Sequence, residues 1–172
     1  MQLMIISETN RLFLRHFHIV DGDAMDRVFG DAEVMHFGTG VKDPDWVRTW
    51  LRGCLEDYHD KWGFGLWAVV EKASRDVVGY CGLSRFPDVG GRPETEIGYR
   101  LMRAYWGRGL ATEAARAVRD YGFGTLSLTR LIAIIDPKNT ASIRVAEKIG
   151  LAYERDVLFQ GFADRVYAIE RQ

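Results

Sequence analysis

The segment that most constrains the fold is residues 94–123, where a strand pattern leads through two glycines directly into a helix pattern. The stretch ETEIGYRLM alternates as a strand does, with Ile97, Tyr99 and Leu101 on one face. After RAYWGRG, apolar residues return at helical spacing, which predicts a helix over residues 109–123. A strand followed at once by a helix is typical of α/β proteins, so we predict that fold class.

Similar patterns elsewhere give the element order β-α-α-β-β-β-α-β-α-β-β and a mixed sheet. Asp43 and Pro44 suit the start of the second helix, whose apolar positions run to Tyr58. Asn139 or Thr140 should cap the last helix. The predicted strands cover residues 11–16, 64–71, 76–83, 94–102, 130–135, 152–159 and 165–171, and the predicted helices cover 21–29, 43–63, 109–123 and 141–149.

Composition limits the classes of partner. The 172 residues are 47% hydrophobic and 27% charged, which fits one globular domain over residues 1–172. A net charge of −1 argues against nucleic acid as a partner. The N-terminus lacks a long apolar run, so we expect no signal peptide, no membrane span and a cytoplasmic location. Cys54 and Cys81 lie among apolar residues, so we expect reduced core cysteines and no metal site.

The glycine turn predicts an anion site. Gly107 and Gly109 let the backbone turn tightly, and the first helical turn leaves N–H groups unpaired at the positive end of the helix dipole. This arrangement suits a diphosphate, with Arg103 and Arg108 beside it to meet further phosphates. The alternative is a tight strand-to-helix turn that binds nothing.

Two other phosphate motifs fit the turn less well. A P-loop needs Gly-Lys-Ser/Thr, which is absent. Gly107-x-Gly109-x-x-Thr112 is a near match to a Rossmann fingerprint, but too little chain follows it for the usual dinucleotide fold.

Two motifs together resemble the GNAT acetyltransferases: YWGRGLATEA at residues 105–114 and NTASIRVAEKIGL at residues 139–151. The likeness is strongest to the branch that contains the ribosomal-protein N-terminal alanine acetyltransferases, which the segments TNRLFLRHF, DAEVMHF, GYCGL and ETEIGYRL also resemble. This resemblance implies a mixed, mostly antiparallel central sheet flanked by helices. It also implies an N-acetyltransferase that moves the acetyl group of acetyl-CoA to a primary amine by direct attack. Ala104 departs from the family, which often has Gln or Arg at that position.

The same resemblance implies which residues hold acetyl-CoA. Backbone N–H groups of the glycine turn would bind the phosphates, and Asn139 and Ser142 lie on the helix that flanks the CoA arm in the family. Tyr105 and Trp106 would cover the cofactor, or alternatively pack against the sheet. The expected cofactor-binding residues are Tyr105, Trp106, Gly107, Arg108, Gly109, Leu110, Ala111, Thr112, Asn139 and Ser142.

Glu96 is the candidate general base. In the family, a glutamate on the equivalent strand often takes the proton of the amine, sometimes through water. An alkylammonium has a pKa of about 10.4, so a positioned carboxylate helps to deprotonate it. Glu94 lies on the same strand face and is the alternative base and a candidate substrate contact. Both side chains could instead be solvated strand carboxylates.

Ser142 is the second catalytic candidate. It lies on the apolar stripe of the last helix with Val145 and Ile149, so its hydroxyl needs a partner. The resemblance implies that this serine lies near the CoA sulfur and protonates the departing thiolate. The alternative is a hydrogen bond to the helix start. Asn139 either contacts the CoA arm, only caps the helix, or does both.

The acceptor is the part of the function that the sequence leaves open. His36 and Phe37 are candidate substrate-binding residues, although packing would also explain them. Residues 36–42, 86–93 and 159–163 should shape the acceptor cleft. The acceptor could be a protein N-terminus, a polyamine, an aminoglycoside or another small amine, and the chain a monomer or homodimer. Two other functions stay open: a non-catalytic CoA-binding regulatory module and a Rossmann-type oxidoreductase.

Overall fold

The structure, a computed structural model, describes residues 4–56 and 61–171. The predicted continuation of the second helix through Tyr58 lies outside these residues. The elements follow the predicted order, with one additional strand at the start. The strands are β1 (Ile5–Glu8), β2 (Leu12–Arg15), β3 (Leu66–Glu71), β4 (Val77–Phe86), β5 (Glu94–Leu101), β6 (Arg130–Ile135), β7 (Ala152–Phe159) and β8 (Phe162–Glu170). The helices are α1 (Gly22–Phe29), α2 (Pro44–Glu56), α3 (Leu110–Gly124) and α4 (Thr140–Lys148), with short 3-10 helices at Ile19–Asp21 and Arg103–Tyr105.

The eight strands form one sheet in the order β1-β2-β3-β4-β5-β6-β8-β7. Neighbouring strands are antiparallel except β5 and β6, which run parallel with α3 as the crossover between them. The predicted α/β class with a mixed, mostly antiparallel sheet is confirmed. A doubly wound dinucleotide fold needs a mostly parallel sheet, so the Rossmann alternative is wrong.

The helices cover both faces of the sheet. α1 and α2 pack on one face, and α3 and α4 pack on the other. Strand β3 shows how side-chain alternation divides the two layers, because Trp67 and Val69 join the core under α3 and α4 whereas Ala68 joins the core under α1 and α2. Successive residues of β5 therefore face the α1–α2 layer and the α3–α4 layer in turn.

Strand β1 is the element that the sequence pattern missed. Met4, Ile5 and Ile6 are consecutive apolar residues, so they lack the alternation that marks a half-buried strand. Strand β8 also begins earlier than predicted, at Phe162. It does so because the left-handed Gly161, at φ 86°, closes a tight hairpin with β7.

Two helix starts agree with the predicted caps. The Trp46 N–H donates to Asp43 Oδ1 at 2.8 Å at the start of α2. The Ser142 N–H donates to Asn139 Oδ1 at 3.1 Å, so Asn139 is the cap of α4. In the described part of the chain, no helix is long and apolar enough to cross a membrane.

Candidate active site

The glycine turn between β5 and α3 is shaped to expose backbone N–H groups. Gly107 and Gly109 have left-handed backbones, at φ 71° and 76°, and Gly109 is the N-cap of α3. Because the Glu113 N–H donates to the Gly109 carbonyl at 3.1 Å, the helical residues before Glu113 lack an acceptor within the helix. A Cβ at Gly107 would meet nothing within 4 Å, so a ligand can approach the backbone there. This geometry fits a phosphate group.

Arg11, at the end of the β1–β2 connection, holds the glycine turn in place. Its Nη1 donates to the Arg108 carbonyl at 2.8 Å, and its Nε donates to Glu113 Oε2 at 2.7 Å. Thr9 Oγ1 also donates to Glu113 at 2.6 Å. These contacts were not predictable from the sequence, because 97 to 104 residues separate the partners.

The two arginines beside the turn, which were expected to meet further phosphates, have protein partners in this structure. Arg103 Nε lies 3.3 Å from Asp31 Oδ2, and Arg108 pairs with the carboxylate of Glu71. The Arg108 guanidinium also lies over the Tyr105 ring, 5.4 Å from its centroid. A bound phosphate would have to compete with these carboxylates.

The side chains of the other predicted cofactor residues point in several directions. Tyr105 donates to Asp76 Oδ2 at 3.1 Å, and Trp106 Nε1 donates to the Leu101 carbonyl at 2.8 Å. Leu110 is buried in the core, while Ala111, Thr112 and the two aromatic residues are partly or largely exposed. Leu110 can therefore contribute only its backbone to a ligand.

In the described residues, the pairing between β5 and β6 is confined to one position. The two parallel strands pair at Glu96 and Ile132, although β5 continues to Leu101 and β6 to Ile135. Beyond that pair, the Ile134 N–H donates to Glu96 Oε1 at 3.2 Å rather than continuing the ladder. We call the space between residues 97–101 and residues 133–135 the β5–β6 cleft. Backbone groups along separating strands can pair with an extended ligand.

Glu96 lies at the base of this cleft, on the face covered by α1 and α2. Burial raises the pKa of Glu96 to about 7, and the nearby Asp164 carboxylate acts in the same direction. The Ile134 N–H and the Arg100 guanidinium oppose the rise. A carboxyl that titrates near neutral pH can hold or release a proton at the pH at which most enzymes work.

Glu94, the alternative candidate, is the first residue of β5 and forms ion pairs with Arg92 and Arg130. Arg92 Nε donates to it at 2.6 Å, and Arg130 Nε donates to it at 3.0 Å. Burial alone would raise the pKa of Glu94, but the hydrogen bonds from Arg130 and Arg92 lower it. An ionised carboxylate that is already paired is a poor proton acceptor, so Glu94 is the weaker of the two candidates.

Ser142 reaches the same strand from the opposite face of the sheet. Its Oγ accepts a hydrogen bond of 3.1 Å from the hydroxyl of Tyr99, which lies on the face of β5 covered by α3 and α4. Its N–H donates to the Asn139 side chain, as described above. The Ser142 hydroxyl therefore does not cap α4. Strand alternation predicted that Tyr99 lies on the core face. It could not predict that the Tyr99 hydroxyl contacts the start of α4.

The predicted acceptor residues follow α1, and Arg100 fixes their segment against β5. Arg100 Nη1 donates to the Val34 carbonyl at 2.9 Å, and Nη2 donates to the Phe37 carbonyl at 3.0 Å. His36 is exposed and contacts Phe37 edge-to-face, with ring centroids 4.7 Å apart. Because Arg100 shares a strand face with Glu96, the His36–Phe37 segment lies on the Glu96 side of the sheet.

Metal chemistry has no obvious support in these side chains. Among residues 4–56 and 61–171, no group of three or more His, Cys, Asp and Glu could hold a metal ion. Cys54 and Cys81 are buried free thiols, and burial raises the pKa of Cys54 to about 12. Neither thiol is suited to act as a nucleophile.

Residues 11–152 match the acetyltransferase (GNAT) domain family. This chain belongs to the GNAT acetyltransferase family. The family predicted from the glycine turn and the Asn139 helix is thereby confirmed. The uncharacterized N-acetyltransferase p20 of Bacillus licheniformis is 31% identical over 156 residues, which cover 90% of this chain and 85% of that protein.

Solved structures of other GNAT proteins share the fold. The GNAT-family acetyltransferase of Bacillus anthracis has a TM-score of 0.78 to this chain at 28% identity, covering 95% of this chain and 96% of that one. RimL, a ribosomal L7/L12 alpha-N-protein acetyltransferase solved in complex with coenzyme A, has a TM-score of 0.74 at 17% identity, covering 96% and 97%. At that identity, the likeness to RimL concerns the fold.

Proposed function

We propose that this GNAT protein transfers the acetyl group of acetyl-CoA to a primary amine by direct attack of the amine on the thioester. The observation that carries the proposal is the β5–β6 cleft, with Glu96 on one face of the sheet and Ser142 on the other. A thioester in this cleft would have a proton acceptor on one side and a hydrogen-bond donor on the other. Acetyl-CoA supplies the activated acyl group.

The glycine turn is the proposed phosphate site. Gly107 leaves open space above an exposed backbone, and the start of α3 at Gly109 favours negative charge through its dipole. Because the turn directly follows β5, a ligand anchored there by its phosphates could extend along the β5–β6 cleft. The backbone N–H groups of residues 107–112 and the Asn139 region are the proposed contacts.

Glu96 is the proposed general base. An amine attacks only as the free base, and most alkylamines are protonated at neutral pH. A carboxylate with a pKa near 7 takes that proton, directly or through water, without being so basic that it is always protonated itself. The His36–Phe37 segment lies on the same side of the sheet, which supports an acceptor site there.

Ser142 is the proposed donor to the departing sulfur. When the carbon–sulfur bond breaks, the electron pair moves onto sulfur, and a donor aimed there stabilises the transition state more than the ground state. Counted from the free amine, the nitrogen loses one proton and the thiolate gains one, so the products are the acetamide and the CoA thiol. The proton that Glu96 first takes from the ammonium passes to solvent. Neither an enzyme nucleophile nor a redox step is required.

An acetyl-CoA binding and turnover experiment tests this function. We expect calorimetry to detect acetyl-CoA binding, and a thiol assay to detect CoA release that depends on an added amine. The panel should contain peptides with free N-termini, polyamines, aminoglycosides and simple alkylamines.

The outcomes separate the remaining functions. Amine-dependent CoA release supports the enzyme. Binding of acetyl-CoA without release on the whole panel would favour the non-catalytic regulatory module. Absence of binding would contradict the proposal altogether.

A further inference from the structure

The hydroxyls of Tyr99 and Ser142 form a contact that the GNAT resemblance did not lead us to expect. They lie 3.1 Å apart and join β5 to the first turn of α4 beside the β5–β6 cleft. Both side chains are half-buried, and the Tyr99 ring packs against the core under α3 and α4. The core therefore holds the phenol ring in place beside the serine.

The direction of the hydrogen bond follows from the chemistry of the two hydroxyls. A phenol is a stronger donor than an aliphatic alcohol, so Tyr99 donates and Ser142 Oγ accepts. Within residues 4–56 and 61–171, the Ser142 hydroxyl finds no acceptor of its own. Its proton is thus left to point away from Tyr99.

We propose that Tyr99 is a positioning residue that orients the Ser142 hydroxyl proton toward the departing CoA sulfur. This inference rests on the proposed function, because it assigns how Ser142 performs its part. Tyr99 does not touch the reacting atoms. It acts by occupying one lone pair of the serine oxygen and by polarising the serine O–H bond, as cooperative hydrogen-bond chains do.

The chemistry requires that Tyr99 keep its proton. Burial raises the pKa of Tyr99 to about 12, whereas an ordinary thiol has a pKa of about 8.5. Transfer of the phenolic proton to a thiolate would therefore be unfavourable by roughly three orders of magnitude. Tyr99 therefore remains a donor throughout. The Ser142 hydroxyl is less acidic than a phenol, so it stabilises the thiolate by a hydrogen bond and keeps its own proton. The proton that the sulfur finally takes up comes from solvent.

A double-mutant cycle tests the inference. Ser142→Ala should lower kcat by roughly tenfold to a thousandfold, the range for losing one transition-state donor. Tyr99→Phe should lower kcat by about three- to thirtyfold, the effect of one lost hydrogen bond, with an unchanged KM for acetyl-CoA. Because Tyr99 acts through Ser142, the double variant should be no slower than Ser142→Ala alone.

Tyr121→Phe is the matched control. Tyr121 is on α3 with its ring edge against Trp67, 5.4 Å between centroids, so the variant deletes a phenolic hydroxyl from the same core. It should keep the wild-type kcat. If Tyr99→Phe keeps the wild-type kcat while Ser142→Ala is slow, the positioning role is wrong and the proposed function stands. If the two effects add, Tyr99 acts independently of Ser142 and the inference is also wrong.

A second measurement needs no acceptor. Bound CoA can be titrated by the ultraviolet absorbance of its thiolate in wild type and in each variant. If Tyr99 and Ser142 stabilise the thiolate, Tyr99→Phe should raise the pKa of the bound thiol by about half a unit to one and a half units, which corresponds to the same fold-change. An unchanged thiol pKa in a variant that still binds CoA would overturn the inference, whatever the amine panel shows.

Discussion

The chemistry of Glu96 depends on its surroundings. The activity that depends on Glu96 should rise with pH through about 7, because only the ionised carboxylate takes a proton. In Glu96→Gln, this rising limb of the plot of kcat/KM against pH should disappear. Only the rise caused by deprotonation of the acceptor amine should remain. The defect should therefore shrink at high pH, where more of the amine is already free. Initial rates over a pH series with one amine measure this.

Asp164→Asn gives the matching control at the same site. The Asp164 carboxylate helps to raise the pKa of Glu96, so its loss should move the limb toward lower pH and leave the plateau nearly unchanged. If the pH profile of Glu96→Gln keeps the rising limb of the wild type, Glu96 is not the general base.

The difference between Glu96 and Glu94 was not accessible from the sequence. The two glutamates lie two positions apart on one strand, and alternation places them on the same face. The two differ in their partners: Glu94 is paired with Arg92 and Arg130, whereas Glu96 accepts a hydrogen bond from the Ile134 N–H. These partners come from β6 and from the connection before β5, so only the folded chain brings them together.

At the scale of elements, the glycine turn and the cap of α4 were predictable because their signals are local. Two glycines before a helical stripe, and an asparagine before another, specify backbone conformations within a few residues. The β5–β6 cleft was not predictable, since strand separation is a property of two paired elements. The contact of Arg11 with the turn and that of Tyr99 with Ser142 also join elements that are distant in sequence.

The glycine turn should fail as an anion site when Gly109 is replaced. Gly109→Val forces a β-branched residue into a left-handed backbone, which costs about 1–2 kcal/mol, and its side chain covers the exposed N–H groups. We expect the acetyl-CoA affinity to fall by at least about tenfold, and the melting temperature by only about 2–8 °C. Calorimetry and thermal unfolding measure the two effects.

Gly124→Ala is the control for this variant. Gly124 is the last residue of α3, and a Cβ there meets nothing within 4 Å, so the variant should keep the wild-type affinity. Wild-type acetyl-CoA affinity in Gly109→Val would contradict the assignment of the turn to the cofactor.

For the whole molecule, the raised pKa of Glu96 links folding to pH. The folded state binds the Glu96 proton more tightly than the unfolded state, whose carboxyl has an ordinary pKa near 4.5. Wild-type stability from this group is therefore fully present at acid pH and is lost as pH rises toward 7. The glutamine in Glu96→Gln cannot titrate. The melting temperature of the variant minus that of wild type should therefore increase between about pH 5 and about pH 8.

Asp45→Asn is the control for the stability experiment. The Asp45 side chain is 86% exposed at the start of α2, so this variant replaces a carboxylate that lies outside the core. A constant difference between Glu96→Gln and wild type across the series would mean that Glu96 is not perturbed by burial.

Direct attack of the amine on acetyl-CoA in the β5–β6 cleft leaves no acetyl group on the protein. Mass spectrometry with isotopically labelled acetyl-CoA and an amine from the reactive class measures where the label goes. We expect all transferred label on the amine nitrogen, slower transfer by Glu96→Gln near neutral pH, and no acetyl group on the protein alone. A labelled acetyl group on the protein that passes to the amine during turnover would contradict direct attack.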